Sequence, residues 1–127
     1  MIRVNSSVKL NMAAIEKLTN AAVEALEQTA EALHTEIVQE QVIPRDAGTL
    51  QGEEFFVDYS KSSKGKVSLV HSTPYARRLY FHPEYKFQKH ENPNAKGLWF
   101  EDWEPGGKYE EFAEEAFVEL YRRIAGL

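Results

Sequence analysis

The sequence predicts an α+β fold: a small antiparallel sheet packed with a long N-terminal helix, a short middle helix and a C-terminal helix. Three observations carry that expectation. The chain opens on alternating polar and apolar residues, a strand signal. It then runs from 11 to 41 without Gly or Pro and with apolar residues at helical spacing. A second amphipathic stretch closes it, after a pair of short alternating runs in the middle. The order β, long α, ββ, short α, loop, α fits a sheet with helices on it.

In the first element, Ile2, Val4, Val8 and Leu10 share a parity, which predicts a half-buried strand over about nine residues. The strand is either continuous or interrupted at Asn5-Ser6-Ser7. Asn11 is a favoured N-cap residue. Beyond it Ile15, Leu18, Ala22, Leu26, Leu33 and Ile37 form one stripe, with Glu16, Lys17, Glu24, Glu27 and Glu31 on other faces. The expectation is a single helix of roughly 25–29 residues, about 40 Å long. Ala14, Ala21, Ala25 and Ala32 favour helix and admit a close neighbour. Pro44 ends it, because the residue before a proline is pushed out of the α region. Asp46 is expected to cap the turn that follows.

The stretches 54–59 and 66–71 read as a β-hairpin around a solvated Ser/Lys/Gly turn. Phe55, Val57 and Tyr59 share one face, as do Val67, Leu69 and His71; Phe56 and Val70 take the other. The first strand is a candidate to join this hairpin. Thr73-Pro74 is a helix-start signal, with Tyr75 and Leu79 on one face, His82 as a further member of it, and Pro83 as the stop. Tyr75 and Leu79 are expected against the hairpin and the Ile37 region, with Arg77 and Arg78 pointing out. The stretch 83–107 is long, irregular and rich in aromatics, which points to a functional loop. Over 108–124 the stripe Tyr109, Phe112, Ala116, Leu120 and Ile124 predicts a last amphipathic helix, ended by Gly126.

Composition limits what the chain does. Its 127 residues suggest one domain over 1–127. There is no cysteine, so disulfide scaffolds, thiolate metal sites and cysteine nucleophiles are excluded. No apolar run approaches the about 20 residues of a membrane span, and no secretory signal is visible. A formal net charge of −5 argues against a generic nucleic-acid binder. It leaves room for a protein that encircles DNA without gripping it.

The residues that could carry chemistry are few. His82 and His90 flank the aromatic loop with Glu84 and Glu91 near them. A zinc site needs three or four donors converging on bonds of about 2 Å, and the 82-to-90 spacing is no known ligand pattern. The carboxylates Glu110, Glu111, Glu114 and Glu115 read as a solvated face at the start of the last helix, where the dipole favours them. No nucleophile elbow, nucleotide loop or dinucleotide fingerprint is present. No catalytic residue, cofactor or metal is expected. Arg77 and Arg78, with Lys86 and Lys89, interleave with Tyr75, Tyr80, Phe81, Tyr85 and Phe87. Acidity overall favours reading that mix as a protein–protein hot spot rather than a single-strand binder.

Three segments carry a resemblance. Pro44-Arg45-Asp46-Ala47-Gly48-Thr49-Leu50 resembles the segment that follows the first long helix in small neck proteins of tailed bacteriophages, with Ala47 where threonine is commoner. The run from Ser72-Thr73-Pro74-Tyr75-Ala76-Arg77-Arg78-Leu79-Tyr80 through His82-Pro83-Glu84-Tyr85 is similar to their middle segment. Asn92-Pro93-Asn94-Ala95, Gly97-Leu98-Trp99-Phe100 and Trp103 resemble their tryptophan block. Together they resemble the minor capsid or head–tail connector (neck) proteins of siphophages and their prophages. The resemblance implies a non-enzymatic virion component between portal and tail, made in the host cytoplasm and assembled as a homo-oligomeric ring around the DNA channel. Its implied partners are other neck proteins on the portal and tail sides; no membrane and no specific DNA contact is implied. Aromatic anchors dominate interfaces. Arg77, Arg78, Phe87, His90 and Trp103 are therefore the expected contact residues, and Trp99 and Phe100 the expected core. The alternative expectation is a small metal-dependent hydrolase using His82, His90 and nearby carboxylates.

Overall fold

The computed structural model describes residues 4–8, 19–44, 55–72, 74–87, 89 and 93–127, with backbone alone at 4–8, 74 and 75. The fold is α+β. In chain order it has β1 (Val4–Val8), α1 (Asn20–Gln39), β2 (Phe55–Asp58), β3 (Val67–His71), α2 (Pro74–Tyr80) and α3 (Phe112–Ala125). Single 3-10 turns lie at Ser62–Lys64 and Glu101–Trp103.

The three strands form an antiparallel sheet with β3 in the centre. Phe55 pairs with His71 and Asp58 with Ser68, so the expected hairpin forms. Val4 pairs with His71 and Val8 with Val67, which adds the first strand to its other edge. β1 runs unbroken through Asn5-Ser6-Ser7, because each of these residues sits opposite a residue of β3.

α1 is shorter than expected. Thr19 is extended (φ −75°, ψ 160°) and its hydroxyl accepts from the Ala22 amide at 3.1 Å, so it is the N-cap. Asn11, Ile15 and Leu18 lie outside the described residues, as do the Asp46 turn and the 45–50 segment. The buried positions of α1 are Ala22, Ala25, Leu26, Thr29, Ala30, Leu33 and Ile37, a single stripe at helical spacing. Thr29 is satisfied by its bond to the Ala25 carbonyl at 2.7 Å. At its far end Gln41 takes a left-handed conformation (φ 56°) and donates to the Val38 carbonyl at 3.1 Å.

A row of polar tethers fastens the hairpin to α1. Ser62 donates to Glu27 at 2.6 Å, Tyr59 donates to Glu31, and His34 donates from Nε2 to the Phe55 carbonyl at 3.0 Å. Moving up the helix by four and then three residues moves down the hairpin by three and then four. The side chains therefore set β2 antiparallel to α1.

α3 packs on α1, and Phe112, Ala113 and Phe117 rest against the core. No residue of α3 is fully buried. The helix starts at Phe112 rather than at 108. The Tyr109 amide is taken by the Asp102 carbonyl at 2.5 Å, and Gly107 lies so close to the Glu101 and Asp102 carbonyls that no Cβ fits there. These contacts hold 104–111 in turns. Gly126 ends the helix at φ 75°, as expected of a C-cap glycine.

Candidate interaction surface

α2 separates its described side chains sharply. Ala76, Leu79 and Tyr80 are buried, whereas Arg77 and Arg78 are exposed. Leu79 joins Ile37, Phe55 and Leu69 in one cluster, as expected. The side chain of Tyr75 lies outside the described residues. The two arginines occupy the last turn, where the helix dipole favours cations. Phe81 continues that turn, its amide donating to the Arg77 carbonyl at 3.2 Å. Its ring is 56% exposed, and the Arg77 guanidinium lies over it at 5.8 Å from the centroid. His82 is past the helix rather than on its inner face. Its ring stacks on Tyr85 at 4.6 Å, and its Nδ1 is 2.8 Å from a Glu84 oxygen. That bond holds the Glu84 carboxyl below its ordinary range.

The long loop leaves and returns at one place. Leu98 donates to the Tyr80 carbonyl at 2.9 Å, and Gly97 lies against the Pro83 backbone so closely that a Cβ would collide. On the way back Asn94 donates to the Glu40 carbonyl and Lys96 to the Val42 carbonyl, at 2.9 and 3.0 Å. Lys96 also pairs with Asp102 at 2.8 Å. The base of the loop is thus fastened to α2 and to the end of α1.

Of the expected contact residues, Arg77 and Arg78 stand exposed together. Phe87 is half-buried and packs on the core. His90 lies outside the described residues. Trp103 is a correction: it is 8% exposed and belongs to the core cluster, with Tyr109 against it at 5.4 Å. Its indole is packed into the core, so it has almost no surface to offer a partner. Trp99 and Phe100 are buried, as expected. Phe81, marked in the sequence only as one of the interleaved aromatics and not as an expected contact residue, is the most exposed aromatic among the described residues. Its signal was present: Arg77 four residues earlier fits one helical turn.

Beneath this surface lies a column of rings. His34 stacks on Phe55 at 4.2 Å, Phe55 on His71 at 4.3 Å, and His71 on Phe100 at 5.6 Å. His71 is fully buried and its Nε2 accepts from the Trp99 indole at 3.0 Å, which puts the ring proton on Nδ1. Burial first, and the charge of nearby His34 second, push its pKa down to about 3. Burial likewise raises the Tyr80 phenol, with Glu104 adding to it. His71 is a neutral core histidine, inaccessible to a substrate.

The opposite charge gathers on α3. Glu111, Glu114, Glu115 and Glu119 are exposed, with Val118 among them 43% exposed. With Arg122 they line a shallow groove of about 510 Å³. Among the described residues no three His, Asp or Glu side chains converge where a metal ion could sit, and no helix is long and apolar enough to cross a membrane. No family model, curated protein or solved structure matches the chain.

Proposed function

We propose that the chain is a non-enzymatic structural subunit of a phage or prophage particle. In this reading it is a head–tail connector or minor capsid component that joins the DNA-filled head to the tail as part of a ring. The observation that carries the reading is the arginine–aromatic surface of α2 and the turn after it. Arg77 lies over an exposed Phe81, Arg78 stands beside it, and the His82–Tyr85 stack continues the patch. Arginine and exposed aromatics are the side chains that dominate protein–protein contacts. The patch falls in one of the segments that resemble neck proteins. In the particle its partners would be further copies of the chain within the ring and other neck proteins on the portal and tail sides. The net charge of −5 also fits a subunit that surrounds a DNA channel, since like charge keeps DNA from adhering. The protein would act in the virion neck and collect in the host cytoplasm during assembly.

Particle assembly with the gene removed tests the reading. Filled heads without tails are the expected product; normal infectious particles would overturn it.

A further inference from the structure

The basic and acidic surfaces of this chain share a pattern. On α2 and its continuing turn, Arg77 and Arg78 precede Phe81 by four and three residues. On α3, Glu114 and Glu115 precede Val118 by four and three residues. In both cases two like charges lie one helical turn before an exposed apolar side chain. Phe81 is 56% exposed and Val118 43%. Among the described residues none of Arg77, Arg78, Glu114 or Glu115 has an ion-pair partner. Within one molecule α2 packs on β1 and α3 packs on α1.

We infer that copies of this chain bind one another head to tail, the α2 patch of one on the acidic face of α3 of the next. With the two helices side by side and parallel, Phe81 meets Val118 and the arginine pair meets the glutamate pair. An antiparallel approach moves the arginines two turns away from the glutamates and towards Arg122, so charge selects the parallel register. A contact of this type joins two different surfaces. An open series always keeps one of each free at its ends, so it closes into a ring or continues as a filament. The inference deepens the ring reading above, and rests on it for the expectation that copies meet. Two short helical faces bury less than the about 1,200 Å² of a stable complex, so a single contact is weak. Ring closure strengthens it by making the last contact intramolecular.

The test is sedimentation equilibrium of the full chain at low salt up to about 1 mM, where a contact with a Kd of that size is occupied in roughly a third of the copies or more. The average mass should rise above 14.6 kDa with concentration and fall back when salt is added. Arg77→Glu with Arg78→Glu, and separately Glu114→Arg with Glu115→Arg, should each weaken association by about tenfold or more. Both pairs are exposed, and unchanged thermal unfolding would show each variant folded. Mixing the two variants should restore association, because each then offers the surface the other needs. A wild-type chain that stays monomeric overturns the inference. So do reversal variants that associate normally, or a mixture that does not recover. The two proposals separate cleanly: gene-deleted particles that keep their tails sink the neck reading but not the contact. Tailless particles rescued in full by the reversal variants sink the contact but not the neck reading.

Discussion

His71 ties the core to pH. Its imidazole is buried between Phe55 and Phe100 and accepts from Trp99, an arrangement that holds only in the neutral form. The folded pKa is about 3, whereas an unfolded histidine titrates near 6.5. Between those values the unfolded chain binds a proton that the folded chain refuses. Stability from this residue is therefore complete above about pH 6.5 and is lost as pH falls towards 3, by up to about 1.4 kcal/mol per pH unit. Urea unfolding at pH 7, 5 and 4 should show that loss, and His71→Gln should flatten it. Trp99 and Arg78 make a sharper pair. Trp99→Ala empties a buried indole and should cost about 3–5 kcal/mol. Arg78→Ala removes an exposed side chain and should stay within about 0.5 kcal/mol. Equal unfolding midpoints would contradict the assigned faces. At this scale the sequence is legible where a period exists: Leu79, Arg77 and Arg78 fall where helical spacing puts them. Trp103 has no such guide. It sits in an irregular stretch, where nothing in the spacing says which way a ring turns.

Elements are read less evenly than single residues. The hairpin and its partner strand follow from alternation, and the stripe of α1 from Ala22 to Ile37 is visible before folding. The start of α1 is not, since the stretch before Thr19 has as good a helical composition as the stretch after it. What decides is one hydroxyl. Thr19 bonds the Ala22 amide and leaves the helix at that point. Thr19→Ala should then destabilise the chain by about 1 kcal/mol, as loss of a cap does. Were the helix continuous through 19, alanine would stabilise it instead, because it is the better helix former. Thermal unfolding of the variant decides the sign. The tethers from Glu27, Glu31 and His34 were equally hidden. Each joins α1 to a residue 21 to 35 positions away, beyond the reach of any local pattern.

Among the described residues charge is unevenly distributed. A net charge of −5 conceals a cationic edge at α2 and an anionic face on α3. The α+β class was legible because it depends only on the order of periodic segments. The candidate surface was half legible: composition marked the arginines and aromatics, but only burial separates Phe81 from Trp103. The fastened base of the long loop has a consequence for covalent continuity. Lys86 and Lys89 are exposed beyond the point where Leu98 bonds Tyr80 and Gly97 meets Pro83. A protease that cuts after either lysine severs the chain outside that clasp. The first fragment keeps α1, the sheet and α2; the second keeps Trp99, Phe100 and α3. Neither can bury its half of the core without the other. Brief trypsin treatment should thus yield a nicked protein that migrates as one species under native conditions and as two in denaturant. Mixing the separated fragments should rebuild it.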